Sequence, residues 1–397
     1  MKRRQFLLAA AAATSALPIS ARLFAAPADT PRLLLVFLRG GYDCNSLLVP
    51  CRSDFYHEAR PTLAIAPPDP ANANSAIALD ADWGLHPALR DSLLPLWQRK
   101  QLAFVPFAGT DDLSRSHFET QDNIEAGEPT SAHSSYRSGF LARLAGCIGG
   151  AAPIAFTDAL PLCFRGAAGD VPNLSLRGVA RPAFDARQAK ILSGMYAGTP
   201  LAAAAADGLR LRQQVSAELQ GEMTRANRGA ANAKTFADET RRIATLMRAR
   251  FRLGFVDVGG WDTHVNQGGA SGALANNLDN LGRGLAAYAD ALGDEWRNTL
   301  AVVVSEFGRT FRENGDKGTD HGHGTVYWVL GGGVRGGRIA GRQVALAPRN
   351  LLQNRDYPVL TNYRDLLGGL LQRGWGLSPT RVQTVFPESR PLDLHMV

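Results

Sequence analysis

Cysteine is scarce: Cys44, Cys51, Cys147 and Cys163 are the only four in 397 residues, and their spacing matches neither a zinc ribbon nor a disulfide-dense scaffold. They are read as structural or free thiols. An oxidising compartment would permit bridges, with Cys44–Cys51 and Cys147–Cys163 as short closures among the pairings open to four cysteines. Also missing is any run of roughly 18–20 apolar residues, so no membrane-spanning helix is expected after the N-terminal segment. No basic patch interleaved with aromatics is present. The net charge of +7 falls to about +3 once Lys2, Arg3, Arg4 and Arg22 of residues 1–26 are set aside. Nucleic acid is therefore not an expected partner. Gly331-Gly332-Gly333 lacks the Lys-Ser/Thr of a phosphate loop, which removes the nucleotide motif.

What is present begins with Arg3-Arg4 ahead of a short Ala/Leu run and the small pair Ala25-Ala26, the pattern of a twin-arginine export signal over 1–26. A periplasmic or secreted location follows as an expectation, with 27–397 as one α/β domain. Ordinary hydrophobic (45%) and charged (20%) fractions suit a globular chain of this length. Continuous apolar runs at 32–38, 102–108, 253–258, 301–304 and 325–330 read as strands buried on both faces, with a shorter one at 154–156. Between them, Leu274, Leu278, Leu281, Leu285, Tyr288 and Leu292 recur at helical spacing, and a closing helix starts near Tyr363. Alternating strands and helices predict a three-layer α/β/α fold with a mainly parallel sheet. Residues of about 128–250 are expected to add loop and helical cap elements.

Polar residues collect where these runs end, which in an open α/β sheet is where ligand chemistry sits. After 32–38 come Arg39-Gly40-Gly41-Tyr42-Asp43, where Asp43 reads either as a metal or substrate ligand or as a turn carboxylate capping the next segment. After 253–258 come Asp262-Thr263-His264, a carboxylate and an imidazole suited to a divalent cation, with Asn266 and Gln267 placed to orient them or to contact substrate. After 301–304 come Glu306, Arg309, Asp320, His321 and His323 within eighteen positions. Asp112 to Asp122 carry a helix start in which Ser114 or Ser116 caps, Glu119 completing a box with Ser116. The same position suits a nucleophile: Ser116 beside His117, with helix N–H groups to hold an anion.

These stretches together resemble an exported family catalogued as "domain of unknown function 1501". The resemblance is carried by the twin-arginine start, Leu38-Arg39-Gly40-Gly41-Tyr42-Asp43, Arg115-Ser116-His117-Phe118, Asp262-Thr263-His264, Ser305-Glu306-Phe307-Gly308-Arg309-Thr310 and Asp320-His321-Gly322-His323-Gly324. More distantly, the order of motifs is similar to the alkaline phosphatase and sulfatase superfamily. That resemblance implies an alkaline-phosphatase-like domain with Asp43 as first-strand ligand, Ser116 as nucleophile, Asp262 and His264 as the Asp/His pair, and His321 or His323 as the last histidine. Where that superfamily commonly carries Ser-Asp-His-Gly, this chain has Ser305-Glu306-Phe307-Gly308, and Phe307 has no atom with which to ligate a metal.

The resulting expectation is an exported hydrolase of phosphate- or sulfate-type esters using one divalent ion, with zinc, calcium, magnesium and manganese all open. Asp43, Asp262, His264, Glu306, Asp320, His321 and His323 are the candidate ligands. Ser116 would attack, His117 or His321 would protonate the leaving group, and Arg309 or Arg115 would clamp the anion of a small or polymeric substrate. The alternative is a non-catalytic secreted binding or assembly protein on a degenerate hydrolase fold.

Overall fold

The alternation of apolar side chains along each buried strand decides the layering. In β1 (Arg32–Leu38), Leu34, Val36 and Leu38 enter one core while Leu33, Leu35 and Phe37 enter another. Successive side chains of a strand point to opposite faces, so a strand apolar at every position must be covered on both. The computed structural model describes residues 30–130, 136–149, 151–175, 191, 194–203, 206–207 and 236–397. The expected export signal and much of the expected cap lie outside them.

The remaining main-sheet strands are β5 (Leu102–Gly109), β6 (Pro153–Phe156), β7 (Leu253–Val258), β8 (Thr299–Ser305), β9 (Thr325–Leu330), β10 (Arg338–Ile339) and β11 (Thr361–Asn362). A separate small sheet holds β2 (Leu48–Pro50), β3 (Ile77–Ala78) and β4 (Trp83–Leu85). The large sheet has the order β10-β5-β9-β8-β1-β7-β6, with β11 also on β5. Every pairing in it is parallel except those of β9, which runs against both β5 and β8.

The helices that shape the fold among the described residues are α1 (Cys44–Leu47), α2 (Asp54–Ala59), α3 (Leu93–Gln98), α4 (His117–Ala126), α5 (Phe140–Cys147), α6 (Phe236–Ala249), α7 (Ala273–Leu292), α8 (Tyr363–Trp375) and α9 (Pro379–Val385). On one face α6 and α7 pack together, burying Ile243, Leu246, Leu278, Leu281 and Leu285. On the other, α5, α8 and α9 bury Phe140, Leu144, Leu366, Leu370 and Val382. Each fully buried side chain of this kind contributes about 1.5–3 kcal/mol. The fold is a three-layer α/β/α sandwich around a mostly parallel sheet. Of the 128–250 stretch, α5, β6 and α6 belong to these layers. All four cysteines are free thiols.

Candidate functional site

Because β1, β7 and β8 are adjacent and parallel, the loops that follow them open on the same rim of the sheet. The loop after β5, which leads into α4, brings Arg115 and His117 to the same place. The loop after β8 folds back on itself: the Gly308 and Gly322 amides donate across it to His323 and Gly308 carbonyls, and the Thr310 amide to Asp320. A side chain at Gly308 would put its Cβ 2.1 Å from the Gly324 oxygen, so only glycine lets the two arms close.

Three imidazoles and one carboxylate converge there. Each ring has its Nδ1 against a group that can only accept: the Glu306 carboxylate for His117 (2.9 Å), Asp320 for His264 (3.2 Å) and the Arg115 carbonyl for His321 (3.1 Å). Nδ1–H therefore donates in all three, which leaves a lone pair on each Nε2 of the neutral ring. Those Nε2 atoms meet around Asp262. His264 Nε2 lies 3.1 Å from His321 Nε2, and the two stand 3.0 and 3.3 Å from Asp262 Oδ1. His117 Nε2 is buried, makes no hydrogen bond and lies 3.6 Å from Asp262 Oδ2. Ligand atoms of His117, Asp262 and His321 all fall within 4.8 Å of one another. Two facing lone pairs at 3.1 Å repel unless a cation, a proton or a metal ion, lies between them.

The carboxylate that holds His117 is itself firmly fixed. Glu306 is fully buried and accepts from the Gly40 amide (2.7 Å), Gln121 Nε2 (2.9 Å) and the Ser305 hydroxyl (3.0 Å). Burial pushes its carboxyl up, but the bonds from His117, Gln121 and Gly40 outweigh this and hold it below its ordinary value. Its hydrogen bond in turn raises His117, against burial. Burial also pushes Asp262 up, and Arg309 with the neighbouring imidazoles reverses the shift. His321 is lowered, first by burial and then by the charges of His117 and Arg309.

Phe307 stands behind the cluster as a wall, its ring 4.9 Å from that of His117 and 5.0 Å from that of His321. It fits because Gly41 (φ 64°) has no side chain; a Cβ there would lie 2.4 Å from the Phe307 ring. Beside the cluster, across Gln121, opens a cleft of about 760 Å³ lined in part by Arg39, Glu125, Thr157 and Asp257. Gln121 accepts from Arg39 (2.8 Å) and donates to Glu306, so it joins cleft and cluster.

The other residues singled out in the sequence take the following places. Asp43 is a cap and an ion-pair partner: it is fully buried against Arg60, with Nη2 at 3.0 Å and Nη1 on its other oxygen, and also accepts from Ser46, Gln267 and the Asn45 amide. Arg309, expected as an anion clamp, ties the loops together. It is buried and donates to the carbonyls of Gly40, Gly41, Trp261 and Thr319 and to Asp262. Arg115 turns to Asp356 (2.6 Å) and Gln353 (2.9 Å), away from an anion-binding role. His323 is buried among the charges of Asp356, Arg115 and Asp112, and Glu306 and Asp320 serve as ring acceptors. Ser116 caps α4 and accepts from the Glu119 amide at 3.5 Å. Gln267 does orient the loop, accepting from the Thr263 and Thr319 hydroxyls at 2.8 Å each.

Gln121 and Arg60 were not anticipated. Gln121 lies four residues after His117, on the same helix face, a spacing that could have marked it. Arg60 sits in a proline-bounded loop with no such pattern.

No curated protein matches the chain. Solved structures similar to it include these two. A protein in the alkaline phosphatase superfamily from Vibrio parahaemolyticus is 12% identical, with 94% of this chain and 75% of that one covered and a TM-score of 0.38. The soluble domain of lipooligosaccharide phosphoethanolamine transferase A from Neisseria meningitidis is 10% identical, with 78% and 79% covered and a TM-score of 0.34. The family described as "Protein of unknown function (DUF1501)" matches residues 30–386, nearly the whole of the described fold, and the chain belongs to that family.

Proposed function

We propose that this protein is an exported, metal-dependent hydrolase of phosphate- or sulfate-type esters. The observation that carries the reading is the set of inward Nε2 atoms, each fixed by an acceptor on the opposite ring nitrogen, with His117 Nε2 buried and unpartnered. Ring nitrogens anchored in this way are the usual outer support of a metal site. His117, Asp262 and His321 would hold the ion. A nitrogen-rich donor set suits zinc or a similar transition ion better than calcium or magnesium, which prefer oxygen. When bound, such an ion polarises ester oxygens and stabilises the charge that develops on them.

The chain's own groups supply the remainder. Ser116 Oγ, at the N-terminus of α4, attacks phosphorus or sulfur, and the bond to the leaving oxygen breaks. First-turn N–H groups of α4 hold the ester's anionic oxygens. As the new bond forms, the lone pair of His264 Nε2 takes the Ser116 hydroxyl proton, and the ring, flanked by Asp262 and Asp320 and partly exposed, passes it to the leaving oxygen. Water then releases the acid from Ser116.

The alternative, a non-catalytic secreted binding protein, draws on one observation: both Arg309 and Arg115 are committed, so neither arginine that touches the cluster is left to grip an anion. Elemental analysis of protein purified after native export, with an aryl phosphate and aryl sulfate panel, separates the two. The hydrolase reading expects one divalent ion per chain, lost in His321→Ala. Ser116→Ala should keep the ion and lose about a thousandfold or more in turnover. No ion and no turnover sensitive to these substitutions would refute it.

A further inference from the structure

Arg115 has an unusual backbone at the entry to α4. Its φ is 54°, the left-handed region that an L side chain avoids, in a residue that is not glycine. A conformation of this kind persists only where the surroundings impose it. Here the guanidinium forks onto Asp356, with Nε at 3.0 Å and Nη2 at 2.6 Å, while Nη2 also reaches Gln353 at 2.9 Å. Asp356 is fully buried and anchored in turn by Arg355 Nη1 at 3.1 Å and by backbone bonds to Leu352. The consequence appears on the other side of the peptide: the Arg115 carbonyl accepts from His321 Nδ1 at 3.1 Å. Of the three ring acceptors in the cluster, this is the one that is not a carboxylate, so its direction depends wholly on backbone geometry.

We propose that Arg115 is a positioning residue for the metal-binding histidine: the Arg115–Asp356 ion pair holds the 115 peptide in its left-handed turn, so that the carbonyl fixes His321 as the Nδ1–H tautomer with Nε2 free to ligate. The guanidinium acts at a distance from the substrate, through its own main chain. This rests on the metal reading of the cluster, but its key claim concerns a tautomer and is measurable without metal.

The test uses the full chain and Arg115→Ala, Arg115→Gly and Arg115→Lys, with zinc titration and ring-nitrogen NMR of His321 in metal-free protein. Wild type should show the Nδ1–H tautomer alone. Arg115→Ala should add the Nε2–H form and bind zinc about 10–100-fold more weakly, the usual effect of removing an outer support. Arg115→Gly, which tolerates the turn without the ion pair, should fall between wild type and Ala. Lys offers one point charge in place of the fork and should rescue only in part. If Arg115→Ala keeps wild-type zinc affinity and the single tautomer, the proposal is overturned. Should Ala fail to fold, Gly and Lys carry the same comparison, and unchanged tautomers in both overturn it. If wild type binds neither zinc nor another divalent ion and shows no turnover, the hydrolase reading fails, while the tautomer result still decides the role of Arg115.

Discussion

Replacing Asp43 decides between two jobs that the sequence left open for it. Both Asp43 and Arg60 have no exposed side-chain surface, and the guanidinium also donates to the Thr310 and Phe311 carbonyls. Removing one member of a buried pair leaves an uncompensated charge, at a cost of about 3–5 kcal/mol. For a chain of this size the melting entropy of about 2.1 cal/mol/K per residue converts that into a drop of about 4–6 °C. Asp43→Asn and Arg60→Ala should each show this loss in thermal and urea unfolding, while zinc stoichiometry stays unchanged. The double substitution Asp43→Leu/Arg60→Met should recover most of it, since a buried pair is readily replaced by apolar groups of similar volume. The pH dependence follows from the sign of the shift. Burial pushes the Asp43 carboxyl up, but Arg60, Ser46 and Gln267 outweigh it and hold the group below its ordinary value. Its contribution is then complete above the unfolded pKa of about 3.9 and is lost as pH falls through the lower folded value. Asp43→Asn should accordingly flatten the acid limb of stability below about pH 4. An Asp43→Asn protein that sheds its metal and unfolds at the wild-type temperature would refute the reasoning and return Asp43 to the ligand set.

Two further outcomes follow from the geometry. Gly41→Ala forces a Cβ into the Phe307 ring at a positive φ and should destabilise by about 1–3 kcal/mol; adding Phe307→Leu should relieve part of the loss, read by denaturant unfolding. Arg309→Ala frees Asp262 from the cation that holds its carboxyl low, so carbon NMR of Asp262 should show its pKa rising, whereas Arg309→Lys should retain a lower value.

The longer strands were legible because their runs are largely apolar, unlike the two-residue β10 and β11, and the rim chemistry because polar groups cluster where those runs stop. Asp262, His264 and His321 were singled out this way, and His117 from the polar crowding at a helix start; the structure brings the four together. The direction of β9 was not legible, since Thr325–Leu330 reads the same in a parallel or an antiparallel neighbour. The tasks of Arg309 and Arg115 were hidden for a different reason. Arg309 binds mainly main-chain carbonyls, which every residue has, and Arg115 acts through its own. Asp43 was ambiguous because its partner, Arg60, lies seventeen residues on, in a loop without periodicity.

The reversal of β9 has a consequence for how such a protein can diversify. A parallel successor would have forced the chain to cross back beneath the sheet before re-entering it. Because β9 lies antiparallel against β8, residues 306–324 leave and return at one rim. The segment that carries Glu306, Arg309, Asp320 and His321 is thus a detour, whose length can change without moving any strand. Lineages sharing this scaffold have a place to lengthen, shorten or re-sequence the mouth of the site while the load-carrying sheet stays as it is, and variation in chemistry should concentrate in that detour.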